Sequence, residues 1–185
     1  MSGKVLVVIG DASEATDTLY PYFRVQEDGY EAVVAAPEKR VYHLVQHDLR
    51  PGWDITREME SYLMESDIAF RDVAPEEYVG LFLSGGRAPE YLRYDADLIR
   101  IVRAFFAAGK PVASVCHGAE IIAAADVIRG KRLATVPKCR FDVEICGGTF
   151  VDEPVVVDGN LVTARVWQDN APFMREYMRM LNGSR

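Results

Sequence analysis

The sequence predicts an α/β fold: a mostly parallel sheet with helices on both faces and a β-hairpin in the C-terminal half. Three observations predict it. Short apolar runs without polar alternation (KVLVVI at 4–9, VGLFL at 79–83, PVASV at 111–115) suit strands buried on both faces, as in a parallel sheet. Amphipathic stretches separate such runs, with short links. The segment PVVVDGNLVTA at 154–164 differs, because Asp158-Gly159-Asn160 makes a turn between two β-rich runs.

Each element follows in order. Residues 4–9 form the first strand. Residues 14–28 read as a helix with Leu19, Phe23 and Val25 inward and Gly29 as its stop. EAVVA at 31–35 is the second strand, and VGLFL at 79–83 is another, ending in Ser84-Gly85-Gly86. Residues 95–108 form an amphipathic helix with Leu98, Ile101, Val102, Phe105 and Phe106 apolar, closed by Gly109. PVASV at 111–115 leads into a helix begun at 117–125. Residues 170–181 close the chain as a helix, with Phe173, Tyr177, Met178 and Leu181 inward. The polar segment 39–72 holds Pro51-Gly52, Trp53 and two histidines. It reads as an inserted loop or small lid.

Bulk composition bounds the function. A chain of 185 residues favours one domain, here spanning 1–185, with a sizeable core. Hydrophobic residues make up 49% and charged residues 26%, as in soluble globular proteins. A net charge of −7 argues against nucleic acid or an anionic membrane as partner, since both need clustered Lys and Arg. No segment reaches the ~18 apolar residues of a membrane span. The N-terminal MSGKVLVVIGDASEA reads as a strand rather than a signal peptide, because an acidic stretch replaces the cleavage site. Three cysteines, Cys116, Cys139 and Cys146, suit free thiols in a reducing cytoplasm. Cys139 and Cys146 lack the C-x-x-C spacing of a zinc site. No metal is expected.

The segment GKPVASVCHGAE at 109–120 carries the most chemistry. A buried strand runs into Cys116 and a small-residue helix starts at once. This is the pattern of a nucleophile elbow at the carboxyl end of a strand, where open α/β sheets place their sites. The bent backbone needs small neighbours, and Ser114, Gly118 and Ala119 supply them. The helix N-terminus favours thiolate and predicts a lowered thiol pKa. The same cysteine also fits a plain buried structural role.

Its partners narrow the choice. The three histidines are His43, His47 and His117, and none follows His117. An α/β-hydrolase or a glutamine amidotransferase would place its base far downstream, so both lose it here. His117 and the two histidines of the insertion remain. SGGRAPEY at 84–91 follows a buried strand; its glycines fit either an oxyanion hole or an ordinary turn. Glu90 lies where a carboxylate would orient an imidazole. Glu14 lies beside the expected elbow; it fits a proton shuttle of raised pKa, or only a helix N-terminal charge.

GLFLSGGRAPEYLR (80–93) with GKPVASVCHGAEIIAAADVIRGKRLAT (109–135) closely resembles the ThiJ/PfpI superfamily. So do EATDTLYPYFRVQEDGYEAVVAAP (14–37) and VVVDGNLVTAR (155–165), so the resemblance spans nearly the whole chain. It implies a flavodoxin-like sandwich. It implies Cys116 as the elbow nucleophile and Glu14 as the acid beside its sulfur. Gly85, Gly86 and the His117 backbone N–H would form the oxyanion hole. Glu90 of one subunit would pair with His117 of its neighbour, completing the site only in a dimer, trimer or hexamer. HDLRPGWDITREMESYLMESD (47–67) looks like a divergent form of a segment in plant tandem-domain members with glutathione-independent glyoxalase activity. There Trp53 and Glu60-Ser61-Tyr62 replace a second histidine and a glycine-rich turn. His47 and Trp53 become candidates for the substrate pocket, His47 fitting a surface loop as well.

The leading expectation is a cofactor-independent enzyme acting on small reactive aldehydes, converting methylglyoxal to lactate or removing early glycation adducts. A soft nucleophile, a proton shuttle and an oxyanion stabiliser suffice, without metal. The second is a cysteine peptidase or amidase with a Cys116–His117–Glu90 triad shared between subunits. The third is a redox sensor in which Cys116 oxidises to sulfinate.

Overall fold

The computed structural model describes residues 3–183, and the expected apolar runs form the middle of a seven-stranded sheet. The N-terminal half contributes β1 (Lys4–Val8), α1 (Ala15–Glu27) and β2 (Glu31–Ala36). Then come β3 (Val41–Asp48), β4 (Arg57–Glu65), β5 (Ile68–Ala69) and β6 (Tyr78–Leu83). Helices α2 (Ala88–Leu92) and α3 (Ala96–Ala107) lead to β7 (Val112–Val115) and α4 (Ala119–Ala124). A short parallel pair, β8 (Arg132–Leu133) and β9 (Thr149–Phe150), brackets α5 (Arg140–Ile145). The chain ends with β10 (Val155–Asp158), β11 (Leu161–Ala164) and α6 (Asn170–Gly183).

The main sheet runs β10-β11-β7-β6-β1-β2-β5. Every pairing is parallel except the β10–β11 hairpin at one edge. Alternate residues of β1 explain why its sequence is apolar throughout. Leu6 and Val8 enter one core with α3 and α4, while Val5 and Val7 enter the other with α1 and α6. Tyr177 and Phe173 of α6 stand beside Phe82 of β6 in that second core.

Two sequence expectations change. Segment 39–72 is not irregular: β3 and β4 pair as an antiparallel hairpin, and β5 adds an edge strand to the main sheet. VYHLVQHD places Tyr42, Leu44 and Val45 inward between exposed residues, a one-faced pattern weaker than a buried run. In α1, Phe23 is exposed and Leu19 half-buried. The inner stripe is Asp17, Thr18, Pro21 and Val25. The first turn of this helix faces a polar cleft rather than the apolar core, which displaces the apolar stripe.

The chain passes from β1 to β2 on one side and returns as β6 on the other. A crevice opens at the carboxyl ends there, where the strand order reverses. Backbone bonds sew its walls together. Arg87 N–H donates to Ala12 O (2.9 Å), Glu14 N–H to Gly85 O (3.2 Å) and Val45 N–H to Ser13 O (2.9 Å).

Candidate active site

Cys116 follows β7 with φ +56°, in the left-handed region that non-glycine residues seldom adopt. Residues Cys116–Gly118 make one 3-10 turn before α4. The bend leaves no room around it. A Cβ on Gly118 would lie 2.6 Å from Ser114 Oγ, and one on Gly85 would lie 2.6 Å from Cys116 Cβ. This is why the strand–Cys–helix motif carries small residues.

The sulfur has three kinds of neighbour. His117 Nδ1 stands 3.3 Å from Sγ. The backbone N–H groups of Gly86 and His117 act on the sulfur to favour its charged form. Gly86 has φ +84°, which glycine adopts freely and which turns its N–H toward the elbow. The third neighbour is a carboxyl that sequence reading missed. Asp17 Oδ2 packs so close to Gly85 that a Cβ there would lie 2.4 Å from it. Asp17 raises the thiol pKa more than Glu14 does.

Glu14 caps α1, its Oε2 accepting from Asp17 N–H at 2.6 Å. Its Oε1 is buried without a hydrogen bond, as is Asp17 Oδ1. Burial pushes both carboxyls up, Asp17 well above the usual range and further up through Glu14. The signal for Asp17 was its position three residues after Glu14, which puts both on one helical face.

The thiol departs from the expected direction. Burial, then the Asp17 carboxylate, pushes Cys116 upward, and the two backbone N–H groups oppose this without winning. Burial, with His47 and Lys138 nearby, lowers His117 to about 4. The resting pair is therefore neutral thiol and neutral imidazole.

A cleft of about 620 Å³ opens over this group. Cys116, His117, Glu14, Asp17, Glu90 and His47 all line it. His47, on β3, bonds through Nε2 to Glu58 Oε2 of β4 at 3.0 Å. Arg87 grips the same carboxylate with Nε and a terminal nitrogen at 2.6 and 2.7 Å. Glu58 is held down to about 2, chiefly by the Arg87 hydrogen bond. Arg87 stands inside the GGRAPE motif but was read only for its glycines.

Not every candidate converges. Trp53 is 59% exposed and sits with Arg50, Ile55 and Arg57 in a separate shallow pocket at the hairpin tip. Trp167 supplies the aromatic wall of the main cleft instead. It follows the β10–β11 hairpin in a short turn, where no periodicity marks it. Glu90 is exposed on α2, and among the described residues no hydrogen bond joins it to His117. His43 is exposed and contacts Asp11.

The family model for the DJ-1/PfpI family matches residues 3–180. A curated deglycase of Pyrococcus abyssi is 38% identical over 178 residues, covering 96% of this chain and 99% of that protein. Protein/nucleic acid deglycase 2 of Escherichia coli is 34% identical over 182 residues, covering 98% of this chain and 99% of that protein. The crystal structure of Drosophila melanogaster DJ-1beta superposes with a TM-score of 0.81 at 19% identity, covering 98% of this chain and 91% of that one. That last likeness concerns the fold.

Proposed function

The chain belongs to the DJ-1/PfpI family, and from that premise we propose that it is a cysteine-dependent enzyme acting on small reactive carbonyls and early glycation adducts. The supporting observation is the environment of Cys116. Its sulfur contacts a neutral imidazole at 3.3 Å, with two backbone N–H donors and a buried acid around it.

The reaction on methylglyoxal balances without a cofactor. The Cys116 sulfur bonds to the aldehyde carbon. Its proton passes to His117 Nδ1, and the aldehyde oxygen takes a proton to give a hemithioacetal. Asp17, whose carboxyl burial pushes well above the usual range, is the acid assigned to donate it. A base removes the hydrogen from the thiol-bearing carbon, and the neighbouring carbon regains a proton. The product is a lactoyl thioester. One water cleaves its C–S bond, giving lactate and restoring the thiol. The Gly86 and His117 N–H groups stabilise the oxyanion during addition and hydrolysis. Both the deglycase and glyoxalase reactions share the first step, nucleophilic attack by sulfur on a carbonyl-derived carbon.

Self-association through Glu90 and a cytoplasmic location belong to the same proposal. Three free cysteines support a reducing compartment. No helix among the described residues is long and apolar enough to cross a membrane.

The test is incubation of wild type and Cys116→Ala with methylglyoxal, without glutathione, following lactate. Lactate from wild type and only background from the variant is the expected outcome. Equal rates from both would remove Cys116 from the chemistry.

A further inference from the structure

Three donors of different chemistry meet beside the elbow. His117 lies in the 3-10 turn, Glu120 in the first turn of α4 and Cys139 just before α5. One ligand atom from each lies within 4.8 Å of the other two. Glu120 and Cys139 are 7% and 1% exposed. The other buried residues of α4 are alanine and isoleucine, so a carboxylate there needs an account.

Its present partners, an ion pair with Arg93 and a hydrogen bond from Cys139, supply only part of one. Arg93 approaches Glu120 Oε2 at 3.3 Å, yet that oxygen has no hydrogen bond, and Arg93 Nε has none either. Glu120 Oε1 accepts from the Cys139 thiol at 3.5 Å. Ligands on a tetrahedral zinc ion stand about 3.5 Å apart, so the sulfur and oxygen are already spaced for one. His117 also lines the main cleft, which leaves the fourth position open to water. A divalent cation with one thiolate, one carboxylate and a neutral imidazole carries no net charge, which suits a buried site.

We propose that His117, Glu120 and Cys139 form a binding site for a borderline-soft divalent cation, best matched by zinc, and that its occupancy shuts off the Cys116 chemistry. The site rests on the three donors alone; the inhibition rests also on the function proposed above. Thiolate and imidazole favour zinc over magnesium or calcium. The inhibitory step is a matter of one proton. Cysteine must lose its proton to bind, and imidazole must bind as the neutral form. When either ring nitrogen of His117 holds the metal, the other carries N–H. The imidazole then has no lone pair free to accept the Cys116 proton.

The experiment titrates the purified protein with cobalt(II) and reads the near-ultraviolet thiolate-to-cobalt band, then displaces the cobalt with zinc. Wild type and Cys116→Ala are expected to show the band, Cys139→Ser to lose it, and Glu120→Gln to bind at least about tenfold more weakly. Circular dichroism verifies each fold, and Glu120→Gln decides the matter if Cys139→Ser does not fold. No band in wild type overturns the site. A band lost in Cys116→Ala and kept in Cys139→Ser also overturns it, since the metal would then sit on the nucleophile. Lactate formation is measured with and without zinc for each variant, so that basal differences cancel. Zinc is expected to inhibit wild type reversibly and to leave Cys139→Ser unaffected. Inhibition of both alike would refute the His117 mechanism. Absence of lactate formation in wild type would count against the proposed function, while the cobalt band still decides the site.

Discussion

Cys116 and His117 share one proton, and burial decides where it rests. Ionising the pair would place two charges in a pocket that stabilises neither well. In the proposed reaction the proton moves during attack, as negative charge passes to the substrate oxygen. An acid of raised pKa beside the sulfur then becomes useful, because its protonated form donates where a carboxylate would repel. Asp17 meets that need better than Glu14, which spends one oxygen on the helix cap. Asp17→Asn keeps the shape and removes the proton, so kcat for methylglyoxal should fall by about 10²–10⁴-fold. Glu14→Gln should cost less, because an amide oxygen still caps the helix. Steady-state kinetics of the two variants checks the order. A larger loss for Glu14→Gln would reverse the assignment.

The hairpin β3–β4 is the element that turns a crevice into a cleft. Two acids fasten it. Asp11 accepts from His43 N–H at 2.9 Å and pairs with Arg40, and Glu58 ties His47 to Arg87. Both carboxyls are held down to about 2, chiefly by their arginine hydrogen bonds. A depressed carboxyl stabilises the native form above its unfolded pKa, and that contribution is lost as pH falls toward the folded value. The hairpin should therefore loosen between about pH 4.5 and pH 2. Amide hydrogen exchange should show β3 and β4 losing protection in that window before β1 and β6. Simultaneous loss would place the weak point in the sheet. This element is also where the sequence was least legible. Strands buried on both faces announce themselves as unbroken apolar runs, as in β1, β6 and β7. REMESYLME alternates weakly and exposes Tyr62 and Leu63, so its pattern resembles a loop. The elbow was legible because its residues are contiguous. Asp17, Arg87, Glu58 and Trp167 converge only through tertiary packing, while Trp53 falls at a hairpin tip.

At the scale of the whole molecule, the cleft is lined from α1, the β3–β4 hairpin, the turn before α6 and Glu90 of α2. Glu90 is exposed and lines the cleft. A second copy docking there would bring a carboxylate to His117 and narrow the opening. Glu90→Ala should then lower activity with the fold unchanged, as read by circular dichroism and by mass in solution. A monomeric mass at working concentration together with full activity would refute the shared site. The central claim is simpler than the assembly, since the proposed conversion of methylglyoxal begins with a bond between Cys116 and a carbonyl carbon. The most direct measurement is a peptide mass map of wild type quenched in acid during turnover of methylglyoxal. The predicted result is an added mass of one methylglyoxal on the peptide carrying Cys116, absent in Cys116→Ala. An unmodified Cys116 during active turnover, or the adduct confined to Cys139 or Cys146, would contradict it.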